Sequence, residues 1–286
     1  MIKELRKELD VTVVVCSKNS IASIEACIVS ILRNKPSNVF LVDANSNDGT
    51  QEVATRLGVK IIDGYGRGLT ADRQLGIEKS KTEFTFFIDS DHIIPENYLS
   101  RMLEIIQRDK YTLVQSQLAI YEPKGLLNFG ENAYYELVHN NPREKIIPGV
   151  APAVFQTLKL KKGSELEMED GLTPTIDDTS WASKAVIKGA KIGIDGPVVH
   201  QLHLSGFRNY YRKFKWYGIG DGEFCAINRS LAFRHYYHLF IRYPIVYVVR
   251  AIIIGKSRAV PFLVMQGITR GYWCAVTHIR MKVGKL

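Results

Sequence analysis

The sequence predicts an α/β fold, in which a mostly parallel sheet is sandwiched by helices and is followed by a basic amphipathic helical extension. Four short apolar segments alternate with amphipathic segments over the first 90 residues, which is the pattern of parallel strands covered by helices. Polar or acidic residues follow each apolar segment directly. The last third of the chain is basic and rich in aliphatic and aromatic residues. The first two observations predict the sheet, and the third predicts the helical extension.

The predicted elements follow one another at short intervals. Runs of β-branched and aromatic residues predict strands at residues 11–15, 39–43, 59–63, 84–89 and 112–121. Amphipathic spacing and turn residues predict helices at residues 21–34, 50–57, 71–81 and 97–110. Because each of the first four strands is joined to the next through a helix, we expect these strands to run parallel.

The composition excludes several classes of protein. With 286 residues, 46% of them hydrophobic and 23% charged, the chain has a globular composition and can bury one large core or two smaller ones. Its four cysteines are scattered and form no CxxC motif, which argues against a disulfide framework and a zinc finger. No apolar segment resembling a signal peptide follows the charged N-terminus, so we expect a cytoplasmic protein.

The basic residues are concentrated towards the C-terminal end of the sequence. From residue 200 onward there are 14 lysines and arginines against two acids, although the whole chain carries a net charge of only +9. Such a change in composition marks a boundary between regions of different function. We therefore expect a domain at residues 1–228 and a basic, apolar helical segment at residues 229–286.

The composition of this C-terminal segment indicates contact with a membrane surface. It contains no charge-free run of about 18 residues, which a membrane-spanning helix needs. Aromatic, aliphatic and basic residues with almost no acids are typical of helices that lie in a membrane interface and attract anionic lipids. The alternative is a pair of helices packed on the domain, with arginines that reach water. Nucleic acid is disfavoured as a partner, because the aliphatic content is high and no recognised binding motif is present.

The ends of the predicted strands carry the candidate ligand-binding residues. In open α/β sheets, ligands bind at the carboxyl ends of the strands. Asp89 and Asp91 follow a buried strand and can both face one Mg²⁺ or Mn²⁺, because hard divalent cations prefer carboxylate oxygens. The residues alone leave open that Asp89 caps a turn and that Asp91 is solvated. The polar clusters at the four ends are Ser17-Lys18-Asn19, Asp43, Asp63 and Asp89-Ser90-Asp91.

Four segments in register resemble the N-terminal half of a family 2 glycosyltransferase of the GT-A fold. They are VTVVVCSKN, FLVDANSNDGT, GRGLTADRQLGI and FTFFIDSDHIIP, and they cover about residues 10–100. The third corresponds to the family's GxxxARNxGI segment and the fourth to its Asp-x-Asp motif. The resemblance implies a Rossmann-like GT-A sheet and a UDP or GDP sugar as donor. It also implies a divalent metal, Mn²⁺ or Mg²⁺, that bridges the diphosphate of the donor to Asp89 and Asp91.

Two positions depart from the pattern of this family. Lys18 stands where the family often has a tyrosine beside the base, and Ala44 stands where the second residue of an Asp-Asp pair is usual. Both changes leave the metal ligands intact and leave the identity of the base open. The residues that the resemblance makes candidates for donor binding in this half of the chain are Ser17, Lys18, Asn19, Asp43, Arg67, Arg73, Asp89 and Ser90.

The resemblance also implies roles for residues further along the chain. Asp178 matches the general base of the family, which deprotonates the acceptor hydroxyl on the face opposite the leaving group, so that the anomeric carbon is inverted. On local grounds, Asp177 and Asp178 can equally lie at the N-terminus of a helix without any catalytic role. Gly149 fits a glycine turn that floors the sugar pocket of the family, or a plain structural turn.

A histidine and a basic segment complete the site that the resemblance implies. His200, with His203 as the alternative, matches a histidine that completes the metal shell, since neutral imidazole can ligate Mn²⁺. A histidine that is simply hydrogen-bonded in a core is the other interpretation. The basic residues that match a segment approaching the diphosphate, or that form a solvated basic face, are Arg212, Lys213 and Lys215.

These observations together predict a metal-dependent, inverting glycosyltransferase. We expect it to act at the cytoplasmic face of the cell membrane, as a peripheral or monotopic protein, on a hydroxyl or phosphate of a glycan or lipid-linked acceptor. A sugar nucleotidyltransferase would need a glycine-rich, basic triphosphate loop near the N-terminus, which VVVCSKNSIAS lacks. A non-catalytic membrane-bound protein of the same fold would tolerate Asp178→Asn without loss of function.

Overall fold

Among the residues that the structure describes, eight strands form one sheet. They are β1 (Leu9–Ser17), β2 (Pro36–Asp43), β3 (Lys60–Asp63), β4 (Phe84–Asp89), β5 (His92–Ile93), β6 (Leu113–Tyr121), β7 (Ala153–Gln156) and β8 (Ile192–Leu202). Their order across the sheet is β3-β2-β1-β4-β7-β6-β8-β5. β1 pairs in parallel with β2 and β4, and β2 with β3, whereas β4–β7, β5–β8 and β6–β7 are antiparallel pairs. The α/β fold class is therefore confirmed, with a parallel half formed by the first four strands and an antiparallel half beside it.

The chain divides into two units, which we call the sheet unit and the helical unit. The computed structural model describes residues 8–64, 68–141, 151–168, 181, 184–203 and 206–284. The sheet unit comprises Met1–Gln117, Ile147–Gly171 and Trp181–Gln201, and the helical unit comprises Leu118–Ile146, Leu172–Ser180 and Leu202–Leu286. This division differs from the boundary predicted at residue 228, because residues 118–146 and 202–228 cluster with the C-terminal helices.

The sheet unit is built around buried parallel strands. Its helices are α1 (Ile24–Leu32), α2 (Thr50–Arg56), α3 (Leu69–Lys79) and α4 (Tyr98–Arg108). Val14 of β1 and Phe87 of β4 are shielded from solvent, as expected for strands that are covered on both faces. α3 approaches β1 closely at Gly76, where a Cβ atom would lie 2.5 Å from Cγ1 of Val14. This close packing requires a glycine and fixes α3 against the parallel half of the sheet.

The helical unit is built around its last helix. Its helices are α5 (Gly125–Tyr134), α6 (Phe207–Ile227), α7 (Arg229–Tyr237), α8 (Tyr247–Ile253) and α9 (Val260–Lys282), and a π-helical segment, His238–Val246, joins α7 to α8. α6 and α9 meet at two glycines: Cβ atoms on Gly218 and Gly222 would lie 2.5 and 2.6 Å from the carbonyl oxygens of Arg270 and Cys274. Within the described ranges, no helix of either unit combines the length and the apolar character needed to cross a bilayer.

Buried ion pairs fix the contacts between helices of this unit. Asp221 of α6 is fully buried and accepts a hydrogen bond of 2.5 Å from Nε of Arg270, while Nε2 of His235 lies 2.8 Å from its other oxygen. Nζ of Lys213 lies 2.6 Å from Oε1 of Glu131. Because a buried charge is costly unless it is paired, each pair restricts which helix faces can meet. Lys213, considered from the sequence as a contact to a diphosphate, is instead paired with Glu131.

Candidate active site

The Asp-x-Asp segment lies at the carboxyl end of β4, beside the ends of two neighbouring parallel strands. The strand registers pair Cys16 with Asp89 and Ser17 with Asp43. The ends of β1, β2 and β4 therefore bring three of the polar clusters expected from the sequence to one edge of the sheet. This edge is where ligands bind in open α/β sheets.

A buried arginine orients the first acid of the segment. Arg73 of α3 is only 3% exposed, and its Nη2 lies 3.4 Å from Oδ1 of Asp89. The Sγ of Cys27 donates to the carbonyl oxygen of Asp89 at 3.7 Å. Burial, with the charges of Asp91 and Asp89, raises the pKa of the Cys27 thiol, which keeps it protonated as a donor. The side chain of Asp89 itself is 40% exposed, so it is held in place and still open to a ligand.

Asp89, Asp91 and His92 form a group that could hold a metal ion. Each offers one ligand atom, and the three atoms lie within 4.8 Å of one another. His92 is buried, with Nδ1 2.9 Å from Oδ1 of Asp91. Two carboxylates and an imidazole are ligand types that suit Mn²⁺, and the carboxylates also suit Mg²⁺. His92 was not expected from the sequence as a ligand, although its position directly after the Asp-x-Asp motif was the available signal.

The pairing of β5 with β8 decides which residue approaches the acids. His92 is paired with Gln201, and Ile93 with His200. Because successive side chains of a strand point to opposite faces, Gln201 shares a face with His92, and His200 shares one with Ile93. The Nε2 of Gln201 donates a hydrogen bond of 2.9 Å to Oδ2 of Asp91. Gln201 was not expected from the sequence, because only this long-range pairing brings it to the site.

The two histidines considered as ligands lie outside this group. Among the described residues, the structure does not bring His200 into the set formed by Asp89, Asp91 and His92. Burial lowers the pKa of His200, which favours the neutral imidazole. His203 belongs to the helical unit, and its buried Nδ1 has no hydrogen-bond partner in the described part of the chain.

Asp43 organises the loop that follows β2. It is 1% exposed, and its two oxygens accept hydrogen bonds from Ser17 Oγ at 2.8 Å, from Ser46 N and Oγ at 2.8 and 2.6 Å, and from Gln51 Nε2 at 2.7 Å. Burial alone would raise the pKa of Asp43, but these hydrogen bonds outweigh it and lower the pKa. The carboxylate is therefore ionised and acts within the protein, by holding the ends of β1 and β2 together.

The loops after β1 and β2 are also tied to each other and to the Asp-x-Asp segment. The backbone N–H of Asn19 donates to Ser46 Oγ at 2.8 Å, and the Oδ1 of Asn19 accepts from the N–H of Asn47 at 3.1 Å. The hydroxyl of Ser20 lies 2.8 Å from that of Ser90. These bonds form a rigid edge from which the side chains of Lys18 and Asn19 reach solvent. Such an edge can present fixed polar groups to a nucleotide.

The remaining residues expected from the sequence are divided between the helical unit and undescribed parts of the chain. Arg212 is exposed on α6. Nζ of Lys215 lies 4.0 Å from the ring centroid of Trp273, in a cation–π contact. Those that lie outside the described residues are Arg67, Gly149, Asp177 and Asp178.

Comparison with known proteins shows which proteins the chain is similar to. The family model of glycosyl transferase family 2 matches residues 12–158. The chain is 27% identical over 118 residues to cholesterol galactosyltransferase of Borreliella burgdorferi, covering 39% of this chain and 33% of the relative. It is 24% identical over 221 residues to the putative glycosyltransferase EpsH of Bacillus subtilis, covering 71% of this chain and 64% of the relative. The matched part thus spans less than two thirds of the length of either curated relative.

Solved structures share the fold at low sequence identity. Glucosyl-3-phosphoglycerate synthase from Mycobacterium tuberculosis, solved in complex with Mn²⁺, UDP and glucosyl-3-phosphoglycerate, has a TM-score of 0.55 and 15% identity over 75% of this chain and 78% of that chain. Residues 1–349 of S. aureus TarS, in complex with UDP-GlcNAc, give a TM-score of 0.54 and 15% identity over 97% of this chain and 93% of that chain. These similarities establish the GT-A fold of the chain.

Proposed function

The chain belongs to glycosyl transferase family 2, and we propose that it is a metal-dependent, inverting glycosyltransferase that uses a nucleoside diphosphate sugar. The observation that carries the proposal is the group of Asp89, Asp91 and His92 at the carboxyl end of a parallel strand. Three ligand atoms this close can share one divalent ion. The complexes of the M. tuberculosis synthase with Mn²⁺ and UDP, and of S. aureus TarS with UDP-GlcNAc, support this class of donor.

Each group has a defined role in the transfer. Asp89 and Asp91 would hold the divalent ion, which when bound supplies Lewis-acid stabilisation of the leaving diphosphate. Asp178, outside the described residues, is the proposed general base and takes the proton of the acceptor hydroxyl. The acceptor oxygen forms a bond to the anomeric carbon while the bond from that carbon to the diphosphate oxygen breaks. A base opposite the leaving group inverts the anomeric carbon.

The nucleotide is proposed to bind along the edge formed by β1, β2 and β4. Lys18 and Asn19 are exposed there on a loop that hydrogen bonds hold in place. Asp43 supports this edge through its hydrogen bonds to Ser17, at the end of β1, and to Ser46, in the loop after β2. The other residues that we propose for contacts to the sugar or the diphosphate are Arg67, Arg73, Ser90, Gly149, Arg212 and Lys215, and His200 or His203 remains a proposed additional metal ligand.

The acceptor is proposed to be lipid-linked or close to a membrane. A curated relative is a cholesterol galactosyltransferase, which supports a lipid as acceptor. The last 63 residues contain ten lysines and arginines and no acid, which suits a location at an anionic cytoplasmic membrane face. We propose that the chain acts there as a peripheral or monotopic enzyme.

Calorimetric titration tests the donor site directly. UDP, GDP, CDP and dTDP are titrated into the wild type with and without Mn²⁺, and the nucleotide that binds is then titrated into Asp91→Ala. We expect one nucleotide to bind only with metal, and the substitution to abolish that binding. Asp10→Ala is the matched control, because Asp10 is exposed at the opposite end of β1. Absence of binding by every nucleotide to the wild type would overturn the proposal and favour a non-catalytic protein of this fold.

A further inference from the structure

The helical unit exposes a continuous apolar stripe on its α7–α8 segment. Residues spaced by four along this segment are large, apolar and exposed: Phe233, Tyr237, Ile241, Ile245, Val249 and Ile253. The exposure reaches 84% for Phe233 and 77% for Ile253. Six such side chains in a row are more than the isolated surface hydrophobics that soluble proteins normally carry, and such patches mark interaction sites.

The helical geometry keeps these side chains on one side. In an α-helix, residues four apart drift by about 40° around the axis. The π-helical segment His238–Val246 between α7 and α8 has more residues per turn. Residues four apart in that segment are therefore rotated around the axis in the opposite direction. The two drifts offset each other, and the stripe stays aligned over the whole segment.

The opposite side of the same segment is also apolar, and it is already covered. Leu239, Tyr243, Tyr247 and Ala251 are buried together with Leu263 and Cys274 of α9. A surface helix with one buried stripe ordinarily turns polar residues outward. Here the outward side is apolar as well, so it needs a second partner that the described residues of the helical unit do not supply.

The structure narrows the part of the chain that can meet such a partner. The sequence predicted a membrane-associating segment over all of residues 229–286. α9, Val260–Lys282, buries one side within the helical unit, where Phe262, Leu263 and Cys274 are shielded, while Ile268, Tyr272 and Ile279 on it are exposed. In the described part of this segment, most of the exposed large apolar residues lie between residues 233 and 254.

The charges beside the stripe identify the chemistry of the partner. Within the segment Arg234 is exposed and Arg242 and Arg250 are partly exposed, and the chain carries no acidic residue after Glu223. A second copy of this chain would bring the same positive charges together, which is unfavourable. An anionic lipid bilayer offers hydrocarbon for the aliphatic side chains and phosphate groups for the arginines. Tyr237 has the amphipathic ring that favours the headgroup level.

We propose that the stripe from Phe233 to Ile253 docks the enzyme onto an anionic lipid bilayer, with the α7–α8 segment lying in the plane of the interface. This surface deepens the proposed function, because it would hold the enzyme beside a lipid-linked acceptor. Docking itself requires neither donor nor metal. It can therefore be measured separately from the glycosyltransferase activity.

Vesicle flotation of the full chain tests the proposal. We expect the wild type to float with vesicles of phosphatidylcholine and phosphatidylglycerol, to float much less with phosphatidylcholine alone, and to be released by high salt. Ile245→Ser with Ile253→Ser should lower the bound fraction more than about tenfold, because two large apolar side chains lose their burial in lipid. Leu158→Ser, a change at a 79% exposed leucine of the sheet unit, should float like the wild type.

Each other result has a defined meaning. If the wild type floats with neither vesicle, or if the double variant floats as well as the wild type, this surface does not dock on lipid. If sedimentation equilibrium shows a wild-type dimer that the double variant breaks without lipid, a second copy covers the stripe and the lipid proposal is overturned. Metal-dependent nucleotide binding by the double variant shows that it is folded, so failure of docking is distinguishable from failure of the proposed function.

Discussion

Gln201 donates a hydrogen bond from Nε2 to Oδ2 of Asp91 at 2.9 Å, although the two residues are 110 positions apart in the sequence. Oδ1 of the same carboxylate lies 2.9 Å from Nδ1 of His92. His92 directly follows Asp91 in the chain, whereas Gln201 is brought there by the pairing of β5 with β8. The orientation of the second acid therefore depends on a strand from a distant part of the chain.

Replacement of Gln201 is expected to weaken metal binding. Gln201→Leu removes the donor that orients the Asp91 carboxylate, and losses of such outer contacts typically lower metal affinity about 10–100-fold. The affinity for Mn²⁺ is measured by calorimetry in the presence of the nucleotide that binds. Gln107→Leu, on the exposed surface of α4, is the control. An unchanged Mn²⁺ affinity in Gln201→Leu would show that this hydrogen bond does not support the metal site.

Separate substitution of the histidines identifies the one that serves the metal. His92→Ala is expected to weaken Mn²⁺ binding strongly, because the imidazole lies in the group with both acids. His200→Ala and His203→Ala are expected to have smaller effects. Electron paramagnetic resonance of bound Mn²⁺ reports the change in ligands without requiring activity. A larger effect of His200→Ala than of His92→Ala would instead favour the ligand that the family resemblance implies.

The sequence was sufficient for the strands of the parallel half of the sheet and for β6, but not for the pairing of β5 with β8. β1 to β4 are continuous apolar runs separated by helices, so their pattern is local and could be identified. β5 contains only His92 and Ile93, and its partner β8 is about one hundred residues away. No local pattern can show such a pairing, which is why Gln201 was missed.

The identity of functional residues was easier to predict than their contacts. Asp43 was identified as a polar residue at a strand end, but a sequence does not show that Ser17, Ser46 and Gln51 saturate its carboxylate. The composition of residues 229–286 likewise indicated a basic, apolar region. Only the packing shows that α9 buries one side among the other helices while the α7–α8 stripe stays exposed, because the two segments have similar composition.

Asp178 is expected to be required for transfer and dispensable for donor binding. Asp178→Asn removes the group that accepts the proton of the acceptor hydroxyl, and loss of a general base typically costs about 10²–10⁴-fold in rate. Transfer of labelled sugar to a total lipid extract is measured with the donor whose base the calorimetric titrations identify. Asp177→Asn is the neighbouring control. Wild-type transfer by Asp178→Asn would exclude this residue as the base.

Asp221 is expected to be essential for the stability of the helical unit. Asp221→Asn leaves the side chains of Arg270 and His235 without the carboxylate that pairs them, and removing one partner of a buried pair typically costs about 3–5 kcal/mol. The free energy of unfolding is measured by urea denaturation. Glu223→Gln, a partly exposed change on the same helix, should alter it little. Equal stability of the two variants would show that the buried pair contributes no net stability.

His238 is expected to make the stability of the helical unit depend on pH. Burial, with the positive charges of Arg270, Arg242 and His235, lowers the pKa of His238 to about 3, and Asp221 partly opposes them. In the unfolded chain the pKa of histidine is about 6.5. The unfolded state therefore binds the proton more readily between these values, and the stability present above pH 6.5 is lost as the pH falls.

The free energy of unfolding is expected to fall by up to about 2 kcal/mol between neutral pH and about pH 5. Urea denaturation at the two pH values measures it for the wild type, for His238→Gln and for Phe233→Leu as a control on the exposed stripe. His238→Gln should reduce the loss, because the unfolded chain no longer gains this proton. Other histidines with lowered pKa, such as His278, leave part of the dependence in place. If the free energy of unfolding falls equally in His238→Gln and the wild type, His238 has the same pKa in the folded and the unfolded chain.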